Sequence, residues 1–169
     1  MLISLIKFML LAPAATGSLL MKRNVISDCL TYAKVPQNYP GSPSFGQAII
    51  PYNLRLPFTP VAVAIPSTVS QVQAAVACGV KYNVTVSARS GGHSYASDGL
   101  GGEDGHLMID MKLFHEVEVD QSTNIATIEP GARLGNIALR LYTQYGRAIS
   151  HGTCPGSVKS HPTFPLNIN

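Results

Sequence analysis

Two short clusters in this chain hold the side chains best suited to chemistry. Arg89-Ser90-Gly91-Gly92-His93-Ser94-Tyr95 sets an imidazole beside a glycine pair, and His151-Gly152-Thr153-Cys154-Pro155-Gly156 sets a second imidazole near a thiol. The first cluster opens an unusual run. Residues 89–106, RSGGHSYASDGLGGEDGH, hold six glycines, where average usage gives about one. Glycine removes the Cβ that blocks close approach, and it lets successive N–H groups point into one concavity, a nest for an anion. The run matches neither G-x-G-x-x-G nor G-x-x-x-x-G-K-[ST], and no helix is expected straight after it. From the residues alone it is either an anion or dinucleotide site or a cluster of structural turns. A metal joining His151, Cys154 and another histidine lacks the close ligand pairing such sites use. A serine hydrolase lacks its G-x-S-x-G elbow.

These clusters need elements to hold them. Val61-Ala62-Val63-Ala64-Ile65, closed by Pro66, reads as a buried strand. Ser67 or Thr68 then caps a helix to about Lys81, with Val69, Val72, Val76 and Val80 on one face. Val84–Ser87 is a second strand, so the glycine run follows a β-α-β unit expected to be parallel and right-handed. Leu107–Met111, Glu116–Asp120 and Ile125–Glu129 are short strands, the last two joined as a hairpin by Gln121-Ser122-Thr123-Asn124. Leu134–Tyr145 reads as a helix with Leu134, Ile137, Ala138, Leu141 and Tyr145 on one face, stopped by Gly146. Ala148-Ile149-Ser150 is a candidate last strand. A short helix is expected over Ile26–Ala33, and residues 36–60, with six prolines, read as irregular or extended. One crossover plus hairpins gives the class α+β.

The totals fit a single globular unit. The chain has 169 residues, 46% of them hydrophobic and 12% charged, with a net charge of +3 and no Lys/Arg run, which gives no footprint for nucleic acid. Residues 1–17 read as a signal peptide: an apolar stretch around Phe8–Ala12, with Lys7 inside it, precedes the small residues Ala15 and Gly17. The alternative, a membrane anchor, needs about 20 apolar residues. Lys22-Arg23 is a second processing site or plain surface. The expected location is secreted and extracellular, off the membrane once the signal is cleaved. Asn83-Val84-Thr85 is a glycosylation sequon. In an oxidising compartment two of the three cysteines, Cys29, Cys78 and Cys154, would pair and one would be left over.

The two clusters together, with Cys154 following His93 by 61 residues, resemble the berberine-bridge-enzyme and glucooligosaccharide-oxidase branch of the vanillyl-alcohol-oxidase-type (PCMH-type) flavoproteins. Gly101-Gly102-Glu103-Asp104-Gly105-His106-Leu107 and Ala126-Thr127-Ile128-Glu129-Pro130-Gly131-Ala132-Arg133-Leu134-Gly135 resemble the sugar oxidases of that branch, and the likeness runs over about residues 27–156. It implies a PCMH-type FAD-binding lobe over 57–156 behind an N-terminal segment, 18–56. It implies FAD as cofactor, with backbone donors for the diphosphate from Ser90, Gly91, Gly92, His93 and Ser94, and with Gly156 beside them. It also implies covalent flavin bonds from His93 to the 8α-methyl and from Cys154 to C6, and a Cys29–Cys78 disulfide. The implied reaction is oxidation of an alcohol or sugar hemiacetal by hydride transfer to the flavin, on a small-molecule substrate for which an oligosaccharide is the candidate. No metal is implied.

After Gly156 the likeness stops. Residues 157–169 read as an aberrant, unstructured tail, and the catalytic base is expected in a C-terminal part beyond it. The expectation is therefore an N-terminal flavin-binding lobe that is inactive alone. The competing readings are a non-catalytic module that binds a nucleotide or a partner protein, and a metal hydrolase.

Overall fold

A computed structural model describes residues 14–156 and 166–167. The first element, α1 (Ala14–Tyr32), buries Ile26 and Leu30 completely. It ends in a Schellman-type turn. Lys34 sits at φ 56° and its N–H donates to the Thr31 carbonyl at 3.0 Å, while the Val35 N–H reaches back to the Leu30 carbonyl at 2.9 Å. Leu30 and Val35 meet in the core, the apolar contact that accompanies such a turn. The helix starts earlier than the expected Ile26, because charged and polar residues between 18 and 25 carry no clear apolar period yet still continue the helix. The apolar start expected as a signal lies mostly outside the described residues. No helix among the described residues is long and apolar enough to cross a membrane.

After α1 come β1 (Gln37–Asn38), the one-turn helix α2 (Phe45–Ala48) and β2 (Ala62–Ala64), with an otherwise irregular path between them, as the prolines require. Next is α3 (Val69–Lys81), capped by Thr68, whose Oγ1 accepts from the Gln71 N–H at 3.2 Å. It leads to β3 (Val86–Arg89), and the glycine run then carries the chain through a 3₁₀ turn at Asp98–Leu100 into β4 (Leu107–Asp110). These strands form one sheet in the order β1-β2-β4-β3. The β-α-β unit is parallel, as expected, but β2 and β3 do not touch: each pairs in parallel with β4, which lies between them. Nothing local encodes that insertion, since a parallel neighbour is chosen by packing across the sheet.

Alternation along the strands divides the sheet into two faces. Ala62, Ala64, Leu107 and Ile109 face α1 and α3, while Val63 and Met108 face Phe45 and Leu100 on the other side. The expected valine face of α3 is wrong. Val69, Val76 and Val80 are exposed, and the helix buries Ala75, Cys78 and Gly79. Small residues win because the helix lies too close to the sheet for valine. A Cβ on Gly79 would stand 2.3 Å from Val86 Cγ2, inside any real contact distance. The Cys29–Cys78 disulfide, with Cα atoms 5.9 Å apart, ties the same face to α1.

A second sheet follows. The β5 (Val117–Asp120) and β6 (Ile125–Ile128) strands form the expected antiparallel hairpin. Then α4 (Leu134–Tyr145) lays Leu134, Ile137 and Leu141 against Val117 and Ala126. Fully burying side chains of this size contributes roughly 1.5–3 kcal/mol each. Gly146, at φ 63°, ends α4 as expected. Ala148–Ser150 is not a strand: Ala148 and Ser150 are exposed, and among the described residues no strand pairs with this segment. In the tail, Leu166–Asn167 forms β7, paired to β6. The rest of residues 157–169 lies outside the described part. The architecture is α+β.

Candidate functional site

The glycine run divides into two parts with different work. Its second half is structural. Gly101, Gly102 and Gly105 all have positive φ, and a Cβ on Gly101 would fall 1.8 Å from His106 Nδ1. His106 is buried, with Nε2 3.0 Å from Glu103 Oε1. Asp104 accepts from the Thr59 N–H at 2.7 Å, and the His106 carbonyl accepts from Val61. This half is a tight turn that starts β4 beside β2.

The first half faces a cleft of about 710 Å³ between β3 and β4 on one side and the α2 region on the other. Ser90, Gly91, Gly92 and His93 line it, with Tyr52, Arg89, Asp110, Lys112 and Arg133. Gly92 has φ +72°, a conformation that a side chain would strain. Among the described residues, the main-chain N–H groups of Gly91, Gly92, His93 and Ser94 donate to no protein acceptor. Such a row of free donors on a glycine turn is what an anion nest requires.

Beneath the turn lies a buried ion pair. Arg89 donates to Asp110 Oδ2 at 2.7 Å and to the Ala48 carbonyl at 2.6 Å, fixing α2 against the end of β4. Asp110 is buried and also accepts from the Lys112 N–H. It is the one acid among the described cleft-lining residues, against Arg89, Lys112 and Arg133. Since Arg89 is matched by Asp110, the remaining charge of the cleft is positive, which suits a diphosphate.

The expected site residues sort as follows. Ser90 donates its hydroxyl to the Pro130 carbonyl, so its side chain anchors the turn. Ser94 is likewise engaged within its own turn, donating to Asp98 Oδ2 at 3.0 Å and accepting from the Asp98 N–H. His93 stacks on Tyr52 with ring centroids 4.6 Å apart and planes 29° apart. Gly156 comes up against His93: a Cβ built there would lie 3.7 Å from His93 Nε2. Cys154 is exposed and unpaired. The Tyr52 phenol is pushed above its usual range, first by hydrogen bonding to Tyr95, then by the charge of Tyr95, burial and the charge of Cys154. The two clusters, far apart in sequence, thus meet. Asn83 is exposed at φ 50°, so its sequon is open to solvent. Among the described residues no group of three or more His, Cys, Asp and Glu side chains could hold a metal, and His151 bonds only its neighbour's carbonyl.

Sequence reasoning missed three participants. In the sequence Arg133 stands out only as one position of the 126–135 motif. Its Nη1 donates to the Gly91 carbonyl at 2.7 Å and to the Gly156 carbonyl at 2.9 Å. Tyr52 lay in a stretch read as irregular. Asp110 had a usable signal: a carboxylate closing an otherwise apolar four-residue strand whose positions are all buried, an arrangement that demands a partner.

A lobe with a glycine nest and a positive cleft at the C-terminal ends of the parallel strands β3 and β4 of its mixed sheet is that of a dinucleotide-binding protein. The chain belongs to the FAD binding domain family, whose model matches residues 60–160. It is 52% identical over 143 residues to chitooligosaccharide oxidase of Gibberella zeae, covering 85% of this chain and 29% of that protein. It is 50% identical, with the same coverage, to xylooligosaccharide oxidase of Thermothelomyces thermophilus. Among solved structures, glucooligosaccharide oxidase from Acremonium strictum, a protein with a 6-S-cysteinyl, 8α-N1-histidyl FAD, superposes with a TM-score of 0.76 at 45% identity, covering 80% of this chain and 28% of that one. The chain spans about 29% of the length of the curated relatives it matches. FAD is the cofactor of the family, and the residues present fit it. Gly92 leaves open the space a Cβ would fill, the neighbouring amides are free to donate, and the lining is cationic.

Proposed function

We propose that this chain is the flavin-binding part of a secreted, FAD-linked oxidase of sugars, with an oligosaccharide as substrate. The observation that carries the reading is the meeting of the His93 turn, which lines the cationic cleft, with the loop that carries Cys154. Gly91, Gly92, His93 and Ser94 would hold the diphosphate through their amides, helped by Lys112. FAD, when bound, would supply the oxidising chemistry, an acceptor for hydride from a hydroxyl-bearing carbon. The chain's own task is to fix it. Tyr52 sets the plane of the His93 imidazole by stacking on it, which leaves the ring's edge nitrogens available for attachment at the 8α-methyl. Cys154, exposed and unpaired, offers its sulfur to C6. Secretion is supported by the Cys29–Cys78 disulfide, a bond that persists in oxidising compartments, and by the open sequon at Asn83.

The test is peptide mapping of the protein purified from a secreting eukaryotic host grown with riboflavin. Flavin-bearing peptides containing His93 and Cys154 are expected, with His93→Ala and Cys154→Ala each removing one of the two. Unmodified peptides in a protein that still binds FAD reversibly would leave a non-catalytic nucleotide-binding module instead.

A further inference from the structure

The segment Pro130–Gly135, which leads into α4, touches both loops of the site. On one side the Pro130 carbonyl takes the Ser90 hydroxyl. On the other, the Gly135 N–H donates to the Pro155 carbonyl at 3.0 Å. Between them, one nitrogen of Arg133 donates both its protons, one to Gly91 and one to Gly156. Gly91 is two residues from His93, and Gly156 is two from Cys154. The guanidinium is therefore a direct bridge between the two turns that carry the attachment groups.

We infer that Arg133 is a positioning residue that locks the Cys154 loop onto the His93 turn and so sets the spacing of the two flavin attachments. The inference rests on the proposed attachment at His93 and Cys154 for its consequence, but the lock itself belongs to the protein alone. The physical reason is an asymmetry between the loops. The His93 turn has other anchors: the end of β3, the Ser90–Pro130 bond and the Ser94–Asp98 pair. Residues 151–156 are exposed throughout and, among the described residues, are held by the Gly135–Pro155 bond and by Arg133. Hydrogen bonds from a charged donor are the stronger kind. Losing Arg133 should free the Cys154 loop while leaving the His93 turn in place.

Each attachment replaces a flavin C–H bond by a C–N or C–S bond. The two protons and two electrons released are taken up by dioxygen, which becomes hydrogen peroxide. The His93 bond needs only the His93 turn, whereas the Cys154 bond needs both loops in register. Arg133→Met keeps most of the stem and removes every donor. Arg133→Lys keeps donors on a single nitrogen.

Two measurements on the whole chain test this. Hydrogen exchange at Gly135, whose N–H holds the Pro155 carbonyl, should quicken about tenfold or more in Arg133→Met and return toward wild type in Arg133→Lys. Amides of the α1–α3 core should not change, which separates loop release from unfolding. In flavin-loaded protein, Arg133→Met should keep the His93 adduct and lose most of the Cys154 adduct. Unchanged Gly135 exchange in Arg133→Met would overturn the lock whether or not flavin binds. Equal loss of both adducts, or of neither, would overturn the spacing role. If wild-type protein carries no flavin while Gly135 still responds, the lock stands and the proposed attachment fails.

Discussion

Gly131→Ala offers the sharpest test of how the site segment is built. A Cβ at this position would lie 2.3 Å from the Met111 carbonyl oxygen, 2.6 Å from that of Phe114 and 3.1 Å from Lys112 Cα. All three atoms are main chain, and they belong to one turn, closed by the Phe114 N–H on the Met111 carbonyl at 2.9 Å. No side chain can swing away to make room. The Gly131 N–H also donates to Phe114, so any retreat breaks a bond. Overpacking costs about 1–3 kcal/mol, and a clash with backbone belongs at the upper end. Against this, losing glycine's freedom in the unfolded chain returns about 0.4–1 kcal/mol. The expected net loss is about 2 kcal/mol. With a urea slope near 2 kcal/mol/M, the midpoint should fall by about 1 M. Gly46→Ala is the control: nothing lies within 4 Å of its Cβ, and it sits in the short α2 helix. Its midpoint should hold or rise slightly. A Gly131→Ala midpoint that matches the Gly46→Ala one would refute the argument that this turn admits only glycine.

Two more expectations follow from other parts of the fold. Replacing Cys29 and Cys78 together by serine opens a link between residues 49 apart in sequence, and chain entropy then predicts a loss of about 4 kcal/mol, read by urea unfolding against the oxidised wild type. At the β5–β6 turn, side-chain hydrogen bonds from Ser122 and Thr123, with main-chain help, hold the Asp120 carboxyl down to about 2. A carboxyl depressed on folding stabilises above its unfolded value near 3.9 and loses that contribution as pH falls toward 2. Stability should therefore decline across that window, and Asp120→Asn should flatten this part of the profile, as followed by hairpin amide shifts.

The fold was legible where one periodicity had one meaning. The α4 face, its Gly146 stop and the β5–β6 hairpin could be read because apolar spacing, turn residues and burial all agree. The α3 face could not, because valine spacing suggested a stripe that close packing forbids. The signal that mattered was the small-residue set Ala75, Cys78 and Gly79, which looks unremarkable in a list of helix formers. The strand order could not be read either. Placing β4 between β2 and β3 is a choice among distant partners, and no local residue encodes it.

The site was half legible for a related reason. His93 and Cys154 carry reactive atoms, so their types draw notice, and the glycines around them announce a special backbone. Their holders act through main-chain carbonyls, which every residue possesses. Arg133 binds Gly91 and Gly156 by their oxygens, and Ser90 binds Pro130 the same way. A contact of that kind leaves a trace at the donor and none at the acceptor. Half of each pair is therefore invisible in sequence, and the donor alone looks like an ordinary surface arginine or serine. That same feature makes the bridge sensitive. Carbonyls in a glycine-flanked loop can reorient by small changes in φ and ψ, and the exposed 151–156 loop has few anchors of its own, so it needs a fixed external donor to hold it against the His93 turn. The Arg133 guanidinium, more than the glycines, therefore determines which of the loop's accessible shapes faces that turn.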